Sequence, residues 1–318
     1  MAKELHVVRN QKDTVFRMLF REKKELLELY NALNNSAYHS TKDLIIFTLE
    51  NAIYMNFKND ISFLLDSELN LYEHQASYNP NMPLRDLVYI AKQLEKYMRD
   101  ESIYSSTLVK IPMPRFVVFY NGTDRQPEKQ ILRLSDAFEK ETAEPELELK
   151  VLMLNINFGH NQELMDKCRT LKEYSQYVDR VRKYARVMRI EEAVERAVTE
   201  CIREGILADF LSSQRAEVIA VSIFEYNEEV EMRKIRESEY KSGKEDGIAQ
   251  GIARGAALGE AETIISLIRK KSEKGFGINE IADILELDVC YVKKALALLS
   301  ENPDKTDMQV AELIIGQV

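Results

Sequence analysis

The stretch NDISFLLDSELNLYEHQ, residues 59–75, constrains this chain more than any other. Two apolar runs, Ile61 to Leu65 and Leu69 to Tyr72, flank a polar break at Asp66, Ser67 and Glu68. Aromatic residues favour strands and Asp-Ser suits a tight turn, so the spacing predicts a β-hairpin. With Ser67 and Glu68 at the centre of the turn, Asp66 opposes Leu69, Ser62 opposes Glu73, and Asp60 opposes Gln75. Side chains alternate along a strand and cross-strand partners share a face. Asp60, Ser62, Glu73 and Gln75 are therefore expected on one face, with His74 turned to the other and held in the core. A slip of one residue would scatter them, so the turn decides the set.

Carboxylates gathered in this way suit one kind of chemistry. Hydrolysis of a phosphodiester needs its charge neutralised and a water oriented for in-line attack, and a hard divalent cation held by carboxylates supplies both. Asp60 and Glu73 would make half of such a cage. Asp13 stands where helical spacing begins (Val15, Phe16, Leu19, Phe20, Leu26, Leu27, Tyr30, Leu33). It is expected to cap that helix or to add a third carboxylate. From spacing alone a plainer reading also stands: Asp60 is a surface strand residue, and Glu73 pairs with a nearby Arg or Lys.

Downstream, Pro80 and Pro83 end the hairpin and lead into a helix expected from about Leu84 to Met98, with Arg85 in its first turn. FVVFY, residues 116–120, is apolar on both faces, as a central buried strand requires, and Asn121-Gly122 closes it. Residues 123–146 read as a polar loop with a short helix, and Leu147 to Asn157 as another strand. This order predicts an α/β (α+β) domain over residues 1–159, followed by helices over 160–242.

A net charge of −9 argues against a non-specific nucleic-acid coat. A polyanion would have to meet a metal or a local basic patch. The densest such patch is Arg180, Arg182, Lys183, Arg186 and Arg189 on a predicted helix. It reads as a solvated face or as a DNA contact. Glycines recur every four residues at 243, 247, 251, 255 and 259. Within residues 243–262 they spell either a flexible, weakly helical linker or a helix with a smooth groove for a second helix, from a homodimer or higher oligomer. Residues 263–318 have the spacing of a small helix-turn-helix core (Ile281, Ala282, Leu285, Leu287, Val292, Leu296), followed by a tail from Glu301. The second helix of that unit carries Lys293 and Lys294 but few groups suited to reading bases, so it reads as a three-helix packing or dimerisation unit ahead of a DNA reader. Three scattered cysteines, no apolar leader and no membrane-length apolar run predict a cytoplasmic protein without membrane contact.

Four blocks, KDTVFRMLF (12–20), NDISFLL (59–65), YEHQASYNPNMPLRDLVYIAK (72–92) and PRFVVFYNG (114–122), together resemble the Rpn family. These are bacterial recombination-promoting nucleases, also grouped as transposase-like, within the PD-(D/E)XK superfamily. The resemblance covers most of the first half of the chain, in order. It implies a restriction-endonuclease-like mixed sheet flanked by helices and a Mg²⁺-dependent (or Mn²⁺-dependent) DNA endonuclease. The family's acidic residues fall on Asp60 and Glu73, its lysine slot on Gln75, and its first-helix acid on Asp13. Glutamine offers dipolar hydrogen bonds where lysine brings a charge, so electrostatic stabilisation would rest more on the cation. Arg85, Arg180, Arg182, Lys183 and Arg186 are the expected DNA contacts. The alternative expectation is a catalytically weak DNA-binding or scaffolding protein that keeps the same fold.

Overall fold

The computed structural model describes residues 14–47, 60–99 and 103–316. The chain divides into two compact units, residues 1–231 and 232–318. The first begins with two short helices, α1 (Val15–Phe20) and α2 (Lys23–Asn34). Thr14 caps α1, its Oγ1 accepting from Arg17 N; Asp13 lies outside the described residues. Six strands follow: β1 (Ile45–Ile46), β2 (Ile61–Leu65), β3 (Glu68–Gln75), β4 (Met113–Tyr120), β5 (Lys129–Arg133) and β6 (Lys150–Asn155). Helix α3 (Met82–Tyr97) joins β3 to β4. The sheet order is β1-β2-β3-β4-β6-β5. Its centre, β3, β4 and β6, is parallel, and its two edges are antiparallel. The first unit is thus a mixed α/β fold, and FVVFY is its central buried strand.

The hairpin forms with a different turn from the one expected. Leu65 opposes Glu68, so Asp66 and Ser67 are the central residues, with φ of 51° and 62°. Both sit in the left-handed region, as a type I′ turn requires, and Asp enters that region at less cost than Glu would. Ser62 therefore opposes Leu71 rather than Glu73, and Ile61 opposes Tyr72. The displacement along β3 is two residues, an even number, so every side chain keeps its face.

Each face buries a separate core. On one, Phe63, Tyr72 and Phe119 pack with Phe16 of α1, Leu26 of α2, and Leu171 and Tyr174 of α5 (Arg169–Ala185). That cluster continues into α6 (Ile190–Glu204) and α7 (Ala208–Ser213) through Val194, Ala197, Val198 and Leu211. Helix α4 (Gln162–Lys167) leads from β6 into α5. On the other face, Leu69, Leu71, Val118, Tyr120 and Met153 pack against Met82, Tyr89 and Ile90 of α3. Burying each large apolar side chain contributes roughly 1.5–3 kcal/mol before chain entropy is subtracted. The sheet and the helices up to Glu231 therefore make one compact unit, extending past residue 159.

Helix α8 (Arg215–Glu273) begins in the first unit and continues into the second. The glycine repeat lies inside this helix, and a Cβ built on any of the five would meet nothing within 4 Å among the described residues. In the second unit, the end of α8 packs with α9 (Ile278–Leu285), α10 (Val289–Glu301) and α11 (Asp307–Ile315). Ile281, Ala282 and Val292 are buried there as expected, whereas Leu285, Leu287 and Leu296 are only partly covered. The supposed tail is α11, started by a Thr306–Gln309 capping box and seated through Val310, Ala311 and Ile314. Among the described residues no helix is long and apolar enough to cross a membrane.

Candidate active site

Asp60 and Glu73 meet where β2 begins and β3 nears its end. The Asp60 backbone N–H donates to Glu73 Oε1 at 3.0 Å, and His74 N–H donates to Asp60 Oδ2 at 2.8 Å. The even register displacement puts Asp60 beside Glu73 rather than opposite Gln75. Glu73 is almost fully buried, at 3% exposure. Burial first, then the neighbouring Asp60 and Asp86 carboxylates, hold its carboxyl well above the usual range; Arg85 works against them.

Helix α3 lies over these groups and brings three residues to them. Arg85 Nη2 stands 3.7 Å from Glu73 Oε2 and donates to Tyr89 Oη at 3.1 Å. In the amide orientation that satisfies its neighbours, Gln75 Oε1 accepts from Arg85 Nη1 (3.1 Å) and its nitrogen donates to the Ser77 carbonyl (3.3 Å). Asp86 is 1% exposed, its Oδ1 has no hydrogen-bond partner, and burial pushes its carboxyl up to about 7. From α1, Arg17 Nε reaches within 3.9 Å of Asp60 Oδ1. Sequence spacing does not single out Asp86 and Tyr89. The only cue was Asp86 next to Arg85 in PLRD, and burial of a helical Asp is not written in its spacing.

A cation would find a suitable donor set here. Carboxylate oxygens are the hard ligands that Mg²⁺ and Mn²⁺ take, and Mg²⁺ is commonly held by one or two carboxylates plus water and substrate oxygens. Asp60 and Glu73 supply that pair, and the unpartnered Asp86 Oδ1 is a buried acceptor close by. Among the described residues no group of three or more His, Cys, Asp or Glu side chains is arranged for a metal; Asp13 is not among those residues.

His74 turns to the opposite face, as alternation predicts. Its ring stacks on Phe16 (4.9 Å between centroids), and its Nε2 shares a hydrogen bond with Tyr174 Oη at 2.9 Å. Burial, with a smaller contribution from Arg182, lowers its pKa to about 3, so the ring is neutral. The basic stretch belongs to this same face, away from the carboxylates. Arg180 pairs with Glu204 (2.6 Å), Arg182 with Glu229 (3.0 Å) and Lys183 with Asp179 (2.6 Å). Of the expected nucleic-acid contacts, only Arg85 shares the carboxylate site. Comparisons with known proteins found no match: no family model, no curated protein and no solved structure matches the chain.

Proposed function

We propose that the first unit is a divalent-cation-dependent DNA endonuclease with a restriction-endonuclease-like fold. The observation that carries this reading is the contact of Asp60 with Glu73 where β2 begins and β3 ends, the Asp60 backbone N–H donating to Glu73 Oε1, with Gln75 two residues on. The resemblance of the four sequence blocks to Rpn nucleases supports it. Asp60 and Glu73 would hold Mg²⁺ or Mn²⁺, which when bound neutralises phosphate charge and lowers the pKa of a coordinated water. The chain's own residues do the rest. Gln75, held by Arg85, presents a dipolar group for orienting water or a phosphate oxygen. Arg85, about one-third exposed, brings the nearest positive charge for a phosphate entering along α3. Tyr89 and Ser77 fix the orientation of those two side chains.

One observation favours a second reading, a DNA-binding scaffold of the same fold with little activity. The Arg85 guanidinium already lies against Glu73 and Gln75, balancing part of the charge that a cation would balance. Cleavage of supercoiled plasmid separates the two. The nuclease reading expects nicking that requires Mg²⁺ or Mn²⁺ and falls by a factor of about 100 or more in Asp60→Ala and Glu73→Ala. Equal cleavage by the wild type and both variants, or none by any, removes the enzyme assignment.

A further inference from the structure

The carboxyl ends of the parallel strands also open a cavity on the α5 side of the sheet, opposite the carboxylates. It has a volume of about 370 Å³, within the range of small-ligand pockets, and lies where open parallel sheets place their ligands. Arg125 enters it from the loop after β4, and Arg182, Lys183 and Arg186 from α5 and its end. Asp124 and Asp179 are the acids of the lining, so positive charge is in excess there in a chain whose net charge is −9. These cations differ in what they already hold. Arg182 is fixed between Asn157 Oδ1 and Glu229, and Lys183 is paired with Asp179. Arg125 and Arg186 are exposed, and neither has an ion-pair partner among the described residues. Guanidinium groups in that condition suit the planar, two-point recognition of phosphate oxygens. Beside them Phe158 is 53% exposed, with Lys183 Nζ 5.7 Å from its ring centroid. An exposed aromatic ring next to free guanidinium groups is the pairing that nucleotide-binding surfaces use for base and phosphate.

We propose that this cavity binds a nucleoside phosphate, with its phosphate against Arg125 and Arg186 and its base on Phe158. The proposal stands on this cavity and not on the cation site. The ligand unit is the same whether it is a free nucleotide or one residue of a DNA strand, and the test distinguishes the two.

The full-length chain is titrated in EDTA, so that the carboxylate site contributes no metal, with inorganic phosphate, AMP and a single-stranded oligothymidylate. AMP binding stronger than oligothymidylate binding identifies the free nucleotide as the ligand, and the reverse order identifies the strand. In either case Arg125→Ala combined with Arg186→Ala weakens all three ligands by about tenfold or more, with an unchanged melting temperature. Phe158→Ala weakens AMP and the oligonucleotide by roughly tenfold while leaving phosphate unchanged. Asp60→Ala leaves all three affinities unaltered, so a failed nuclease assay does not bear on this result. Absence of binding at millimolar ligand, or binding untouched by the double arginine substitution, overturns the proposal.

Discussion

His74 sits between Glu73 and Gln75 in sequence and away from both in space, and its role can be read from its titration. The folded chain keeps the ring neutral down to about pH 3, whereas an unfolded histidine takes a proton near 6.5. A folded-state pKa below the unfolded one means that stability is complete above about pH 6.5 and is lost as pH falls toward 3, at about 1.4 kcal/mol per pH unit. Urea unfolding of His74→Gln, whose amide can either donate to or accept from Tyr174, should show a shallower loss between about pH 6.5 and pH 4 than the wild type. Equal slopes would place the acid sensitivity elsewhere. At this scale Asp60, Glu73, Gln75 and the inward His74 were legible because alternation depends only on parity, which survives an even error in register. Asp86 was not legible. Its spacing on α3 is that of any helical acid, and only the packing of that helix on the sheet buries it.

Among the elements, the β2–β3 turn has the clearest physical cost. Ser67 carries a φ of 62°, which glycine adopts without a Cβ penalty. Ser67→Gly should therefore raise stability by about 0.5–1 kcal/mol in denaturant unfolding, and destabilisation would show that the serine side chain matters more than its backbone. The observed turn lies one residue before the expected one because Asp enters the left-handed region more readily than Glu. β5 is not legible locally because KQILR is a short edge strand with one buried residue, Leu132, and its pairing with β6 lies outside local sequence. The polar start of the segment after Glu301 hides α11, whose one local signal is the Thr306–Gln309 capping box. Within α8 a Cβ on any glycine of the stripe would meet nothing within 4 Å among the described residues, so each glycine should weaken the helix by about 1 kcal/mol relative to alanine. Gly251→Ala should slow amide exchange around residue 251. A fall in oligomer mass instead would place a partner helix on the stripe.

Across the whole molecule, the chain carries two sheet-face cores in its first unit and a separate cluster in its second. Ile281 is fully buried in the latter, so Ile281→Ala should cost about 2–5 kcal/mol. Hydrogen exchange should lose protection in α9 to α11 while the sheet keeps its own; loss in both would mean that the units unfold together. The order of helices and main strands was legible from periodicity, whereas the strand order was not. Placing β6 between β4 and β5, and β4 parallel to β3, depends on contacts between residues far apart in the chain. The site inherits this dependence, since α3 crosses to β4 in the parallel connection and so brings Arg85 and Asp86 over Glu73. Whether those carboxylates share a cation is measured most directly by Mn²⁺ titration of the full chain, followed calorimetrically, in the wild type, Asp60→Asn and Glu73→Gln. Saturable binding of a single ion by the wild type, weakened by about tenfold or more in each variant, is the expected result. No binding by the wild type, or binding undiminished in both variants, would contradict a shared cation site at Asp60 and Glu73.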